Sequence, residues 1–277
     1  MLRKCYAKVN LSLDVLGKRQ DGYHEIDTIM TRINLYDVLK VKRNKENKFN
    51  YDSNVSIGKV EDNLIFKAYK LLEDRVSDKG IDVYLEKNIP LAAGLAGGST
   101  DASEMIKALN ELWNLDLSTD EMMLLSQKLG ADLPFFFLGK SARARGVGEK
   151  LSPINIHSKL YLLLINDGTE ISSAFVYKNI GSYGNIPTDM IVEGLAKGEV
   201  AAIKACENVM EDVVFKFFPY LEDIKAKLIG QRAVKALVSG SGASIFGVFL
   251  DQDSRNLAYE NLKDEYKFIK KVDLIDD

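Results

Sequence analysis

The chain is short of the residues that build metal sites and disulfide frameworks. Its 277 residues include two cysteines, Cys5 and Cys206, and two histidines, His24 and His157. Two cysteines so far apart make no disulfide framework and suit a reducing compartment; so few scattered ligands argue against zinc. Neither sign of charge is in excess: 37 Lys and Arg stand against 40 Asp and Glu, a net charge of −3. Nothing in that balance favours nucleic acid or an anionic membrane. The local basic cluster Lys40, Lys42 and Arg43 has acids close by and reads as solvated surface. Long apolar runs are also missing. The longest, from Leu160 to Ile165, is far too short to span a bilayer and reads as a buried strand. No signal peptide is visible at the start, so the expectation is a cytoplasmic protein. There is no low-complexity tract and no internal repeat.

What is present is ordinary globular composition, 46% hydrophobic and 28% charged, on a chain long enough for one large or two modest domains. Val9, Leu11, Leu13 and Val15 alternate with Lys8, Asn10, Ser12 and Asp14, which predicts a strand with a polar side. Asp21, Gly22, Tyr23 and His24 make a turn, and a second apolar segment follows at 26–41. The polar stretch 44–60 suggests hairpin loops. Helical spacing marks 63–72 and 120–129, the latter with a capping box at Ser118 and Glu121 and Gly130 as its C′ residue. Further helices are expected around 188–216 and 219–230, and a strand–loop–strand over 236–249. Strands, hairpins and helices in this order point to an α+β fold rather than a regular βαβ repeat.

The most informative stretch is Pro90, Leu91, Ala92, Ala93, Gly94, Leu95, Ala96, Gly97, Gly98, Ser99, Thr100. A strand pattern at 81–85 precedes it. A helix pattern follows, with Ala102, Met105, Ile106, Leu109, Leu112 and Trp113 on one face and Asp101 with Glu104 as its expected capping box. Glycines let backbone N–H groups approach an anion, and a helix N-terminus adds partial positive charge. Strand, glycine loop and helix make the layout of a phosphate cradle. The spacing fits neither GxxxxGK[ST] nor GxGxxG. Alone, such a loop could equally be a connection that binds nothing.

Four segments read together resolve the matter: Lys8 to Asn10, the glycine loop, Gly130 to Pro134, and Ser239 to Ser244. The chain resembles the GHMP kinase superfamily over about residues 2–250. The glycine loop looks like its second motif and 239–244 like its third. Arg19, Asp21, Gly22, Tyr23 and His24, together with 144–149, resemble the branch that acts on a cytidine-diphosphate-linked methylerythritol. Alanines at 92, 93 and 96, and Ser244, stand where that branch often has glycine and cysteine; the alanines are tolerable if φ stays negative there.

The resemblance implies a two-subdomain fold. An N-terminal domain (1–152), like the second domain of certain ribosomal proteins, precedes a ferredoxin-like α/β sandwich (153–277). It implies ATP with Mg2+, and phosphoryl transfer to the 2-hydroxyl of the sugar alcohol in non-mevalonate isoprenoid biosynthesis. Asp132 takes the hydroxyl proton and Lys8 supplies charge beside the transferred group. Residues 90–100 hold the phosphates, with Ser99 or Thr100 near magnesium, and Asn63 and Lys87 at the adenosine end. Asn10, Tyr23, His24, Tyr177, Gly240 and Gly242 serve the second substrate, the aromatic groups forming a cytosine pocket. Asp101 and Glu104 either face away as caps or help hold magnesium. The partner implied is a small molecule, with no nucleic acid and no membrane. The competing readings are another kinase of the superfamily, acting on homoserine or mevalonate, and a non-catalytic binding module.

Overall fold

The computed structural model describes residues 1–56 and 58–275. The chain begins with strands β1 (Leu2–Lys18), β2 (His24–Arg43) and β3 (Phe49–Ser53), then helix α1 (Leu64–Leu72) and strand β4 (Ile81–Glu86). Helices α2 (Gly97–Trp113), α3 (Thr119–Ser126) and α4 (Phe135–Leu138) follow. Strands β5 (Ala142–Gly146), β6 (Lys150–Pro153) and β7 (Tyr161–Asn166) come next. Helices α5 (Ser173–Asn179), α6 (Thr188–Lys197), α7 (Val200–Ala205), α8 (Glu211–Phe217) and α9 (Tyr220–Gly230) precede strands β8 (Lys235–Val238) and β9 (Ile245–Phe249). Helix α10 (Gln252–Leu262) and strand β10 (Phe268–Ile275) close the order. The α+β class expected from the sequence holds.

These elements make two compact units whose sequences interleave. One comprises Met1–Ala7, Leu35–Ile89 and Ala96–Gly139; the other Lys8–Asn34, Pro90–Leu95 and Lys140–Asp277. Strands β1 and β2, of 17 and 20 residues, contribute to both.

In the first unit β4 pairs antiparallel with the end of β2 and parallel with β3. The stretch 44–60 therefore holds a strand, not only hairpin loops. Its alternation is Phe49, Tyr51, Ser53 against Asn50 and Asp52, and the apolar members pack on the core. Ile81, Val83 and Leu85 bury one face of β4 against Ile65, Ala68 and Leu72 of α1 and Ala102, Met105, Ile106 and Leu109 of α2. Side chains of this size contribute about 1.5–3 kcal/mol each when fully buried. Helix α3 has its capping box, but it stops at Ser126 with Gln127 as C-cap, so Gly130 is not its C′ residue. Residues 127–129 tighten instead into i→i+3 turns, Lys128 bonding Leu125 and Leu129 bonding Ser126.

In the second unit the antiparallel sheet β10–β7–β9–β8 carries α9 and α10. Leu163, Ile165, Val238, Ile245 and Phe249 meet Leu221, Ile224, Leu228, Ala258 and Leu262 in its core. The start of β2 pairs with β5, and β5 with β6. The stretch 188–216 divides into three helices, because Gly198 (φ +74°) ends α6 and Cys206 leaves the helical region after α7.

Candidate active site

The polar side of β1 is not solvated. Lys8, Asn10, Ser12 and Asp14 are as buried as the apolar residues between them, with Lys8 only 4% exposed. Buried polar groups need partners. Lys8 donates to Asn10 Oδ1, Asn10 Nδ2 donates to Thr28 Oγ1 at 2.8 Å, and Thr28 donates to the Ser12 carbonyl at 2.7 Å.

The first half of the glycine loop is stapled to the same unit by its backbone. The carbonyls of Ala92, Ala93 and Leu95 accept from the N–H groups of Ile171, Ser244 and Lys8 at 3.1–3.2 Å. Ser239 Oγ donates to the Gly94 carbonyl at 3.0 Å. A Cβ on Gly94 would lie 1.9 Å from the Ser239 carbonyl oxygen, and Gly94 has φ +73°, so only glycine serves there. Gly240, at φ +56°, is less tight: its Cβ would meet Asn10 Oδ1 at 3.2 Å and Lys8 Nζ at 3.4 Å. Lys8, Asn10, Gly94 and Gly240 are thus brought together. Asn208, which the sequence reading missed, fixes this corner by donating to the carbonyls of Val238 and Gly240, both at 2.8 Å. Gly242 joins this corner by its backbone, whose N and O lie 3.0 Å from where a Gly94 Cβ would stand, while its own Cβ would face Val238, Ile171 and Val214 in the core.

The alanines carry a correction. Ala92 and Ala96 have φ of +47° and +53°, so the expectation of negative φ fails. The loop keeps the left-handed turns that glycine would favour and strains the alanines to do so, at about 1–2 kcal/mol each.

In the first unit α2 begins at Gly97, with Ala96 as N-cap, four residues before the capping box expected at Asp101 and Glu104. The glycines themselves are helical, and Gly97 is the crowded one, since a Cβ on Gly98 would come no closer than 3.6 Å to Leu64 Cδ1. A Cβ on Gly97 would lie 3.1 Å from both Ile89 Cγ2 and Lys87 Nζ. The early N–H groups of the helix, at Gly97, Gly98 and Ser99, have no intrahelical acceptor by construction. Such groups, with the partial positive charge of the helix dipole, can accept an anion. Ser103 Oγ donates to the carbonyls of Ser99 (2.8 Å) and Leu133 (3.1 Å), and Lys107 donates to the Phe136 carbonyl (2.8 Å). These bonds moor the turn that carries Asp132 to the first turns of α2. Asp132 is half-buried in that turn. Thr100 is buried and Ser99 half-buried.

Asp101 is not a cap. It is 3% exposed and its Oδ2 lies 2.8 Å from Lys87 Nζ, which also pairs with Asp37. Burial opposes the Lys87 charge, but Asp101 and Asp37 outweigh it and raise its pKa. Burial in turn pushes the Asp101 carboxyl above the usual carboxylate range, against the pull of Lys87. Glu104 pairs with Lys107. Asp37 escaped the sequence reading, although an aspartate flanked by Leu35, Val38 and Leu39 in a strand pattern is a signal that could have found it. Asn63 caps α1, accepting from the Ile65 N–H at 2.9 Å.

The third group of predicted residues also gathers. The rings of His24 and Tyr177 stack with centroids 5.1 Å apart and planes 21° from parallel, and Tyr183 stands 6.4 Å from His24. Tyr23 is 65% exposed at the turn, where its N–H bonds Asp21. Burial and Lys18 lower the pKa of His24, which favours the neutral imidazole.

Two family models match, "GHMP kinases N terminal domain" over residues 63–140 and "GHMP kinases C terminal" over 191–267. The chain is 43% identical to the 4-diphosphocytidyl-2-C-methyl-D-erythritol kinase of Caldanaerobacter subterraneus subsp. tengcongensis, over 99% of this chain and 96% of that one. It belongs to the GHMP kinase family. A kinase of the same name from Thermoanaerobacter pseudethanolicus is 41% identical over 96% of this chain and 93% of its own. Among solved GHMP kinases, a 4-(cytidine 5'-diphospho)-2C-methyl-D-erythritol kinase superposes with a TM-score of 0.83 at 32% identity, covering 99% of both chains. The homoserine kinase of Cytophaga hutchinsonii shares the fold, at a TM-score of 0.73 and 15% identity over 97% of this chain and 95% of its own. Use of ATP follows from membership of the kinase family. Among the described residues, no helix is long and apolar enough to cross a membrane.

Proposed function

We propose that this chain transfers the γ-phosphoryl group of ATP to the 2-hydroxyl of 4-diphosphocytidyl-2-C-methyl-D-erythritol, in the cytoplasm, as a step of non-mevalonate isoprenoid biosynthesis. The observation that carries the reading is the 43% identity to a kinase of that name along nearly the whole of both chains. The division of labour is 1–152 for ATP and the catalytic residues and 153–277 for the remainder of the substrate site. The two family-model matches lie on either side of that boundary.

The roles follow from the chemistry each group can perform. Phosphoryl transfer needs position and charge neutralisation more than covalent help. The free N–H groups at the start of α2 and the residues from Pro90 to Thr100 bind the ATP phosphates. Asn63 and Lys87 serve the adenosine half. Lys8 supplies positive charge at the transferred group, and its bond to Asn10 holds its ammonium in place. Asn10 and Gly240 bind the sugar alcohol around the accepting hydroxyl, with Gly242 supporting the loop. Asp132 accepts the hydroxyl proton as the oxygen attacks phosphorus. Of the two hydroxyls, Ser99 would hold Mg2+ better than the buried Thr100, and the ion would supply charge neutralisation on the phosphates. The His24–Tyr177 stack offers a flat ring surface to the cytosine, and the exposed Tyr23, next to His24 in the chain, serves the same base.

The test is ADP release with the cytidine substrate, its uridine analogue, homoserine and mevalonate, side by side. Turnover of the cytidine compound with discrimination against uridine is expected. The exocyclic amine and ring nitrogen of cytosine reverse their donor and acceptor roles in uracil, and a buried mismatch costs about 1–3 kcal/mol. Equal use of both bases removes the base pocket. Faster turnover of homoserine or mevalonate replaces the reading with another activity of the superfamily.

A further inference from the structure

We propose that Asp37 is a positioning residue for ATP, holding both ends of the glycine loop through Lys87, Asp101 and two backbone amides. The proposal rests on the reading that the loop binds ATP. Asp37 lies on β2 with no exposed surface. Its Oδ1 accepts from the N–H groups of Asn88 (2.5 Å) and Ile89 (2.8 Å), the last two residues before Pro90. Its Oδ2 pairs with Lys87. Lys87 in turn reaches Asp101 Oδ2 at 2.8 Å, on the first turns of α2. The same ammonium lies 3.1 Å from where a Gly97 Cβ would stand, at the first residue of that helix. One carboxylate thus fixes the residues entering the loop and, through one lysine, the helix leaving it.

Fold stability alone gives a poor account of this arrangement. A buried ion-pair cluster stabilises little, and apolar side chains of the same volume commonly do as well. A cation beneath the first residue of a helix also opposes the helix dipole. What the cluster does provide is fixed geometry at 87–89 and at 97–101. A loop already ordered at both ends loses less conformational freedom when an anion binds. Asp37 has no access to the anion itself. Its effect is transmitted through Lys87 and the backbone.

The test measures binding of a non-hydrolysable ATP analogue by calorimetry to wild type, Asp37→Asn, Lys87→Met and the double variant. The KM values for ATP and for the alcohol are measured beside it. Asp37→Asn keeps an acceptor for the amides and removes the charge. It is expected to weaken analogue binding about tenfold, equivalent to about 1.4 kcal/mol, to raise the KM for ATP in step, and to leave the KM for the alcohol unchanged. The double variant is expected to be no weaker than Lys87→Met alone, because both changes break one chain of contacts. A merely structural role would lower the melting temperature without moving analogue affinity, and that result overturns the proposal. So does an Asp37→Asn effect that multiplies with that of Lys87→Met. Should Asp37→Asn fail to fold, Asp101→Asn takes its place under the same expectations, and wild-type affinity in that variant overturns the clamp. Wild type that binds no analogue at all overturns the ATP reading of the loop, and the clamp with it. Wild type that binds, with an Asp37→Asn that binds equally, overturns the clamp alone.

Discussion

Ala96 shows how a single residue can carry strain for the sake of a neighbour's geometry. It sits at φ +53° immediately before α2, so its carbonyl can accept from Thr100 while the chain enters the helix from the loop. A left-handed L-residue costs about 1–2 kcal/mol. Replacement by glycine adds unfolded-state freedom worth about 0.4–1 kcal/mol. The first effect is the larger, so Ala96→Gly is expected to stabilise the protein by about 0.5–1 kcal/mol in urea titration. A destabilised variant would show that the alanine methyl packs better than it strains. Asp132 belongs to the same scale. Asp132→Asn preserves shape and removes proton acceptance, so kcat should fall about 10²-fold or more with ATP affinity retained. A variant that keeps most of its kcat excludes the base assignment.

Among elements, α8 offers the clearest pH signature. Its first residue, Glu211, accepts from the Val238 N–H at 2.8 Å and pairs with Lys225 of α9, so it ties α8 to β8 and α9. Burial pushes its carboxyl above the ordinary value of 4.5, against the pull of Lys225 and of that N–H. A carboxyl whose folded pKa lies above its unfolded one binds its proton more tightly when folded. Its contribution is therefore fully present below the unfolded pKa and is lost as pH rises through the folded value. Glu211→Gln removes this titration and keeps an acceptor for Val238. The melting temperature of the variant relative to wild type should therefore rise as pH goes from about 4 to about 7. A relative stability independent of pH would mean that burial does not dominate at this carboxyl.

For the whole molecule, any ligand that binds only the folded state adds stability by mass action. A non-hydrolysable ATP analogue at about a hundred times its Kd should contribute about 2.7 kcal/mol. For a chain of this size that is a rise of several degrees in Tm, at about 2–4 °C per kcal/mol. An unmoved melting curve at saturating analogue would count against nucleotide binding. The interleaved units bear on how such curves are read. Lys8–Asn34 belongs with Lys140–Asp277, so the second unit cannot complete its core before residues from both ends of the chain have met. Leu13, Val15 and Ile26 lie in one cluster with Leu163 and Ile245.

The sequence by itself determined several of the local elements. Alternation gave β1 and β4, three- and four-residue spacing gave α1 and α2, and Ser118 with Glu121 gave the start of α3. These follow from period and capping, which act between residues a few positions apart. The glycine loop was legible for the same reason, since glycine spacing and a following helix pattern are local signals. Tertiary structure alone decided what each polar residue meets. The polar side of β1 is buried because Thr28 and the turn at Gly240 cover it. Asp101 lies in the helix interior because Lys87, itself held by Asp37, pairs with it there. Ala92 takes a left-handed angle where the Ile171 N–H, far along the chain, holds its carbonyl. Each of these depends on partners tens of residues away or on contacts that fix the loop as a whole, and no periodicity in the chain records such a contact.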